Sequence, residues 1–156
     1  MVFNPKAWLA RKTAPSNSAT TTAAGSTKQR GDAAEGVALA YLQNQGLRLV
    51  QRNFKTPGRG GGEIDLIMRE PDGTLVFVEV RQRASARQGG AAGSVTPIKQ
   101  RRIVLAARHF LLRLGSEPPC RFDVVLIQGP NPLQHAPSEG APITWVRAAF
   151  DASATF

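Results

Sequence analysis

The sequence predicts an α/β domain, and three observations support this. Stretches of helical period alternate along the chain with stretches rich in Ile, Leu, Val and Phe. A Pro-Asp-Gly turn joins two of the latter into a hairpin. The second arm of that hairpin is apolar on both faces, as expected of a central strand covered from both sides.

Over residues 28–45, Ala33, Ala34, Val37, Ala38, Tyr41 and Leu42 recur at helical spacing, and Gly46 stands where a helix stop belongs. Glu35 falls inside the apolar arc of this helix, in line with Leu39 and Leu42, and so points toward the core. A carboxylate near a helix N-terminus is also favoured by the macrodipole, which leaves a structural role and a catalytic one both open. Residues 47–54 read as the first strand. The glycine-rich stretch 56–62 then leads directly into a second strand, whereas a nucleotide loop would need a helix there. Its glycines therefore serve a close approach of backbone to a phosphate or to the neighbouring strand.

The second and third strands are expected to pair about Asp72, with residue n facing residue 144 minus n. After Arg83, the small-residue stretch 84–94 reads as a mobile loop ending at Thr96-Pro97, a capping hydroxyl followed by a proline suited to a first helical turn. The helix over 97–114 carries Lys99, Arg101, Arg102, Arg108 and Arg113 on an apolar body. Residues 121–127 and 143–150 supply two more strands, joined by the Pro-rich segment 129–142.

The 156 residues suffice for one domain with a sizeable core. Residues 1–26 contain Lys6, Arg11 and Lys12 but no acid, and their Ala, Ser and Thr bury little, so they are expected to form a disordered basic arm. The same features resemble an organelle transit peptide. Residues 27–150 form the domain and 151–156 a short tail. Twenty Lys and Arg against 11 Asp and Glu give a formal net charge of +9, which favours a polyanionic partner, with nucleic acid ahead of an anionic membrane. A solvated basic surface is the competing reading. The single Cys120 excludes an internal disulfide and a thiolate cluster, and fits a reducing cytoplasm. No apolar run approaches a membrane span, so a soluble protein is expected.

Acids inside the two most hydrophobic strands carry the chemistry. An unpaired carboxylate among Ile, Leu, Val and Phe either gives up its charge or finds a cation. Alternation places Glu63, Asp65 and Ile67 on one face, and Phe77, Glu79 and Arg81 on one face. The hairpin register sets Asp65 opposite Glu79, about 5 Å away, close enough to chelate one ion, and sets Glu63 opposite Arg81. Without a metal, Glu63 and Arg81 would form an ion pair, and Asp65 and Glu79 would lie on a solvated edge; the apolar surroundings of Glu79 favour the metal site. Asp123 either supports this site or caps its strand. His109 and His135 show no shared metal spacing.

These strings, Ala-Glu-Gly in the first helix, Gly-Gly-Glu-Ile-Asp-Leu-Ile, Val-Phe-Val-Glu-Val-Arg-Gln-Arg, Thr-Pro-Ile-Lys-Gln-Arg-Arg and Arg-Phe-Asp-Val-Val, resemble the YraN family of small bacterial proteins over residues 29 to 128. That resemblance implies a restriction-endonuclease-like α/β/α sandwich with a central mixed β-sheet, related to Holliday-junction resolvases. Proteins of this fold set an Asp, an acidic-x-Lys pair and often a helical Glu around Mg²⁺. Carried onto this chain, these are Asp65, Glu79 with Arg81, and Glu35. Arg81 departs from the pattern, because it keeps its proton under any ordinary condition; Lys99 can supply the missing ammonium from the following helix.

The expected function is a Mg²⁺- or Mn²⁺-dependent nuclease acting on DNA, in branched or otherwise structured substrates. Asp65, Glu79 and Glu35 would hold the ion, Arg81 and Lys99 the scissile phosphate, and Arg59, Arg83, Lys99, Arg101 and Arg102 the nucleic-acid backbone. Glu63 would add an oxygen or pair with Arg81. The alternatives are a nucleic-acid-binding module of the same fold without turnover, and a partner-binding protein whose charge is incidental.

Overall fold

A computed structural model describes residues 23–83, 95–129 and 142–155. The expectations for residues 1–22, for the loop 84–94 and for the Pro-rich segment with His135 lie outside these residues. The element order is α1 (Ala23–Asn44), β1 (Arg48–Lys55), β2 (Glu63–Arg69), β3 (Leu75–Arg83), α2 (Pro97–Leu114), β4 (Cys120–Gln128) and β5 (Ile143–Phe150). Helix α1 begins several residues before the expected start, inside the stretch assigned to the arm. The expected tail instead carries a 3₁₀ turn at Ala152–Thr155, and Ala152 packs against the core.

The strands form one sheet in the order β1-β2-β3-β4-β5. All neighbours are antiparallel except β3 and β4. A parallel pair needs a crossover, and α2 supplies it. Helix α1 covers one face of the sheet and α2 the other, which makes an α/β sandwich with a five-stranded mixed sheet, consistent with the nuclease-like architecture expected.

Local chemistry accounts for the helix ends. The Thr96 hydroxyl accepts the Lys99 N–H, Pro97 opens α2, and Gly115, at φ 70°, returns its N–H to the Leu111 carbonyl. Helix α1 closes through Gly46, at φ 94°, and the Leu47 N–H bonded to the Leu42 carbonyl. Ala34, Ala38 and Leu42, four residues apart, pack on Leu66, Met68, Val76, Val78 and Val125. The opposite core holds an aromatic row. The Phe110 ring meets Phe54 and Phe77 edge-on, and Phe77, Phe122 and Phe150 stack in sequence at 5.5 and 5.1 Å.

The hairpin register is as expected: Leu66 faces Val78, Ile67 faces Phe77, Met68 faces Val76 and Arg69 faces Leu75. The facial alternation of β2 is not. Ile64 and Ile67 belong to the α2 core, whereas Leu66 and Met68 belong to the α1 core, so the strand turns over at Asp65. Level with this point on β1 stands Asn53 in the left-handed conformation, φ 49°. Glu63 is thereby separated from the expected face. It pairs with Lys55, 3.1 Å away, and the expected Glu63–Arg81 pair does not form.

Gly62 shows what the glycine-rich stretch is for. A Cβ there would run into the backbone carbonyl of Arg102 in α2, so only glycine lets the start of β2 lie against the helix. The close approach is to a helix, where a phosphate or a strand was expected. Gly62→Ala should lower the unfolding free energy by on the order of 1–3 kcal/mol, measured by denaturant titration, because rigid backbone must shift. Wild-type stability in that variant would refute the contact.

Candidate functional site

The pairing of β2 with β3 stops at Leu66–Val78, and Asp65 takes over where the ladder ends. Its Oδ2 accepts the Val80 N–H at 2.8 Å, a bond that a strand carbonyl would otherwise make. Glu79, one residue back on β3, points to the α2 side with Phe77 and Arg81. Its side chain is 4% exposed. The Asp65 and Glu79 carboxyls lie close enough for each to perturb the other's ionisation.

Two cations face Glu79. Arg81 Nε stands 3.3 Å from Oε1, and Lys99 Nζ stands 3.3 Å from Oε2. Lys99 arrives from the first turn of α2, whose N-terminus the crossover sets over the C-terminal end of β3. Both distances exceed the about 2.8 Å of a closed charge-assisted hydrogen bond. Glu79 Oε2 and Arg81 Nε are buried without a hydrogen-bond partner. The cations offset the charge of Glu79 without saturating its oxygens.

Burial, then the neighbouring Asp65, push the Glu79 carboxyl up to about 7 against the pull of Lys99 and Arg81. Asp65 is also raised, by burial above all, with the Val80 N–H and Lys99 acting in the other direction. Glu35 is raised by burial and by Asp65, and lowered by a hydrogen bond from the Asn53 side chain and by Arg52. Its Oε2 lies 3.7 Å from Arg52 and has no hydrogen-bond partner.

An ion can be tested against this arrangement by its donors. Asp65 and Glu79 present neighbouring hard oxygens, one of them an orphaned buried atom, which suits Mg²⁺ or Mn²⁺ with water and phosphate completing the shell. Glu35 approaches Asp65 from the other face of the sheet, but the described residues contain no group of three metal-ligating side chains. The pair fits a hard divalent ion; the expected three-carboxylate set is not assembled.

Asp123 does not support this site. It is level with Val78 across the parallel pair, so alternation turns it to the α1 face, away from Glu79. There it is fully buried and accepts from Arg121 Nε, from Trp145 Nε1 and from the N–H of Ala148, whose φ of 48° marks a bulge in β5. Glu70 accepts from both Arg121 and Arg147, completing a clamp between β5 and the hairpin. Arg59, Arg101 and Arg102 are exposed, and the Gly62–Arg102 contact brings the Arg59 turn beside the first turns of α2. Arg83 is half-buried at the end of β3, and its carbonyl accepts the Gly129 N–H.

Sequence reasoning missed Asn53 and Arg52, the β1 partners of Glu35. An Asn inside an otherwise regular strand was the available signal, since Asn tolerates the left-handed conformation and is depleted in strands.

The raised Glu79 carboxyl has a consequence for stability. The folded protein keeps a proton that the unfolded chain releases near pH 4.5, so this stabilisation is complete below that value and is lost as pH rises through about 7. In chelator at constant ionic strength, the melting temperature should fall between pH ~5 and ~8, by the equivalent of at most about 3 kcal/mol. Glu79→Gln should flatten that slope. A wild-type melting temperature that rises over the same range would contradict the assignment.

Among the described residues, no helix is long and apolar enough to cross a membrane. The model of the family described as "Uncharacterised protein family UPF0102" matches residues 34–127. A UPF0102 protein of Polaromonas naphthalenivorans (strain CJ2) is 57% identical over 154 residues, covering 94% of this chain and 99% of that protein. One from Polaromonas sp. (strain JS666) is 62% identical over 127 residues, covering 81% and 84%. One from Albidiferax ferrireducens is 61% identical over 131 residues, covering 84% and 94%. The matched region runs from α1 through β4 and takes in Glu35, Asp65, Glu79, Arg81 and Lys99; the chain belongs to the UPF0102, or YraN, family.

Proposed function

We propose that the protein hydrolyses phosphodiester bonds in DNA with the help of a divalent ion, on branched or otherwise structured substrates. The observation that carries this reading is the meeting of Asp65 and Glu79 at the end of the β2–β3 ladder, with Lys99 Nζ 3.3 Å from Glu79. Asp65 and Glu79 would hold Mg²⁺ or Mn²⁺, which supplies Lewis acidity toward the phosphoryl oxygens and acidifies water. Lys99 and Arg81, each already beside Glu79, would bind the phosphate and stabilise the negative charge that develops on it. Glu35 would act from the opposite face through Asn53, as a positioning group near Asp65.

The backbone of DNA would be held by Arg59, Arg101 and Arg102, with Arg83 at the end of β3. Aromatic residues make up only 6% of the chain, and the rings of Phe54, Phe77, Phe110 and Phe122 are buried, so contact with phosphates and shape is favoured over base stacking.

A second reading is a nucleic-acid-binding protein of this fold without turnover. The observation favouring it is Arg81, a guanidinium facing Glu79 where a lysine ammonium would serve catalysis. Incubation of branched, single-stranded and linear DNA with Mn²⁺ or Mg²⁺ separates the two. Cleavage should be lost on chelation, and should fall by at least about a hundredfold in Asp65→Ala and in Glu79→Ala, with DNA affinity largely kept. Equal cleavage in both variants and wild type would rule the mechanism out. Salt-sensitive binding with no ion-dependent product would establish the second reading.

A further inference from the structure

Neither the fold nor the proposed chemistry uses the aliphatic side chains on the outer face of α2. Ile98, Leu105 and Leu112 are 64%, 51% and 79% exposed. They recur every seven residues and so form one row along the helix. At 100° per residue, the exposed Arg101 and Arg108 border this row on one side, and Arg102 and Arg113 border it on the other. The helix contains no acid. At its C-terminal end, lined by Arg108, Leu111, Leu112, Gly115, Ser116 and Glu117, is a concavity of about 440 Å³, large enough to take a bulky side chain. The core is filled from the other side of α2, by Ile103, Val104, Ala106, Ala107 and Phe110, so the row is not surplus packing surface.

The charges select among possible occupants. In an antiparallel pairing of two copies about Leu105, Arg102 would meet Arg108 and Arg101 would meet His109, with no acid on either helix to offset the repulsion. Within this chain, segments 1–22 and 84–94 contain no acid, and 130–141 contains one, Glu139. Nucleic acid would satisfy the arginines but would set three aliphatic side chains against phosphates. A membrane-surface helix buries a broad apolar face in the interface, whereas the broad apolar face of α2 is spent on the core and the outer row is one residue wide.

We propose that this face docks an acidic amphipathic helix of a partner protein. Aliphatic residues of the partner would follow the row from Ile98 to Leu112, carboxylates would lie along both arginine borders, and one large apolar side chain would enter the concavity. The aliphatic row is independent of the nuclease reading; Arg101 and Arg102 are shared with its DNA contacts, so the leucine variants separate the two.

The probe is a synthetic five-turn helical peptide with leucines at heptad spacing and glutamates on both sides, titrated into the full chain by fluorescence anisotropy. Saturable, salt-sensitive binding is expected. It should weaken by at least about tenfold with Leu105→Ser/Leu112→Ser, with Leu112→Ser alone in the same direction, and when the peptide's glutamates become glutamines. These exposed leucines take no part in the site, so DNA affinity should not change. Arg101→Glu with Arg102→Glu should bind a lysine-flanked peptide instead. Absent binding, or binding indifferent to the leucine changes, overturns the proposal. So does equal, leucine-dependent binding to phosphatidylglycerol vesicles, or a leucine-dependent dimer in sedimentation, which would assign the face to a membrane or to a second copy.

Discussion

Glu79 is a carboxylate on the central strand of a sheet covered on both faces, and its surroundings in this protein are organised around the cost of that charge. Taking a carboxylate out of water is unfavourable by several kcal/mol after relaxation, about the size of a domain's whole net stability. Two cations offset it, Lys99 from α2 and Arg81 from the same face of β3, while the neighbouring Asp65 adds to it. Neither cation closes a full bridge. The oxygens remain available to a stronger cation, and the cations remain available to an anion.

The topology delivers these groups to one place. A parallel β3–β4 pair forces a crossover, and the crossover puts the start of α2, with Lys99, over the end of β3. Gly62 allows β2 to press against that helix. The turnover of β2 at Asp65, opposite the left-handed Asn53, frees the Asp65 carboxylate from the regular face pattern and lets it cap Val80. The second buried acid, Asp123, is treated quite differently. Its oxygens are taken by Arg121, Trp145 and the bulged Ala148, so it fastens the edge strand and has no free valence for chemistry. Two buried acids one strand apart thus have separate duties, assigned by which face of the sheet each one meets.

Much of this was legible in the sequence because it rests on local rules. The bounds of α2 and β5 follow from Thr96-Pro97, Gly115 and apolar pattern, and the hairpin register follows from Pro71-Asp72-Gly73. That register holds from Arg69–Leu75 to Leu66–Val78 and ends there, so the placing of Asp65 beside Glu79 depends also on the turnover of β2. Less legible was whatever depends on tertiary contact. Alternation assigned Glu63 to the same face as Asp65, and one left-handed residue on the neighbouring strand undid that. The orientation of Asp123 required the parallel register with β3, and the purpose of Gly62 required the position of α2. The exposed row on α2 was hidden for a related reason: Ile98, Leu105 and Leu112 look like core in a sequence until the helix is rotated against the sheet.

Membership of UPF0102 places the chain among relatives that match it along most of their length. The reading of its chemistry depends on whether the paired acids accept an ion. The most direct measurement is a titration of Mn²⁺ into the DNA-free protein, following the loss of the free ion's paramagnetic signal. One binding site that disappears in both Asp65→Asn and Glu79→Gln is the predicted result. Binding that persists unchanged in both variants, or no binding by the wild-type protein, would contradict it.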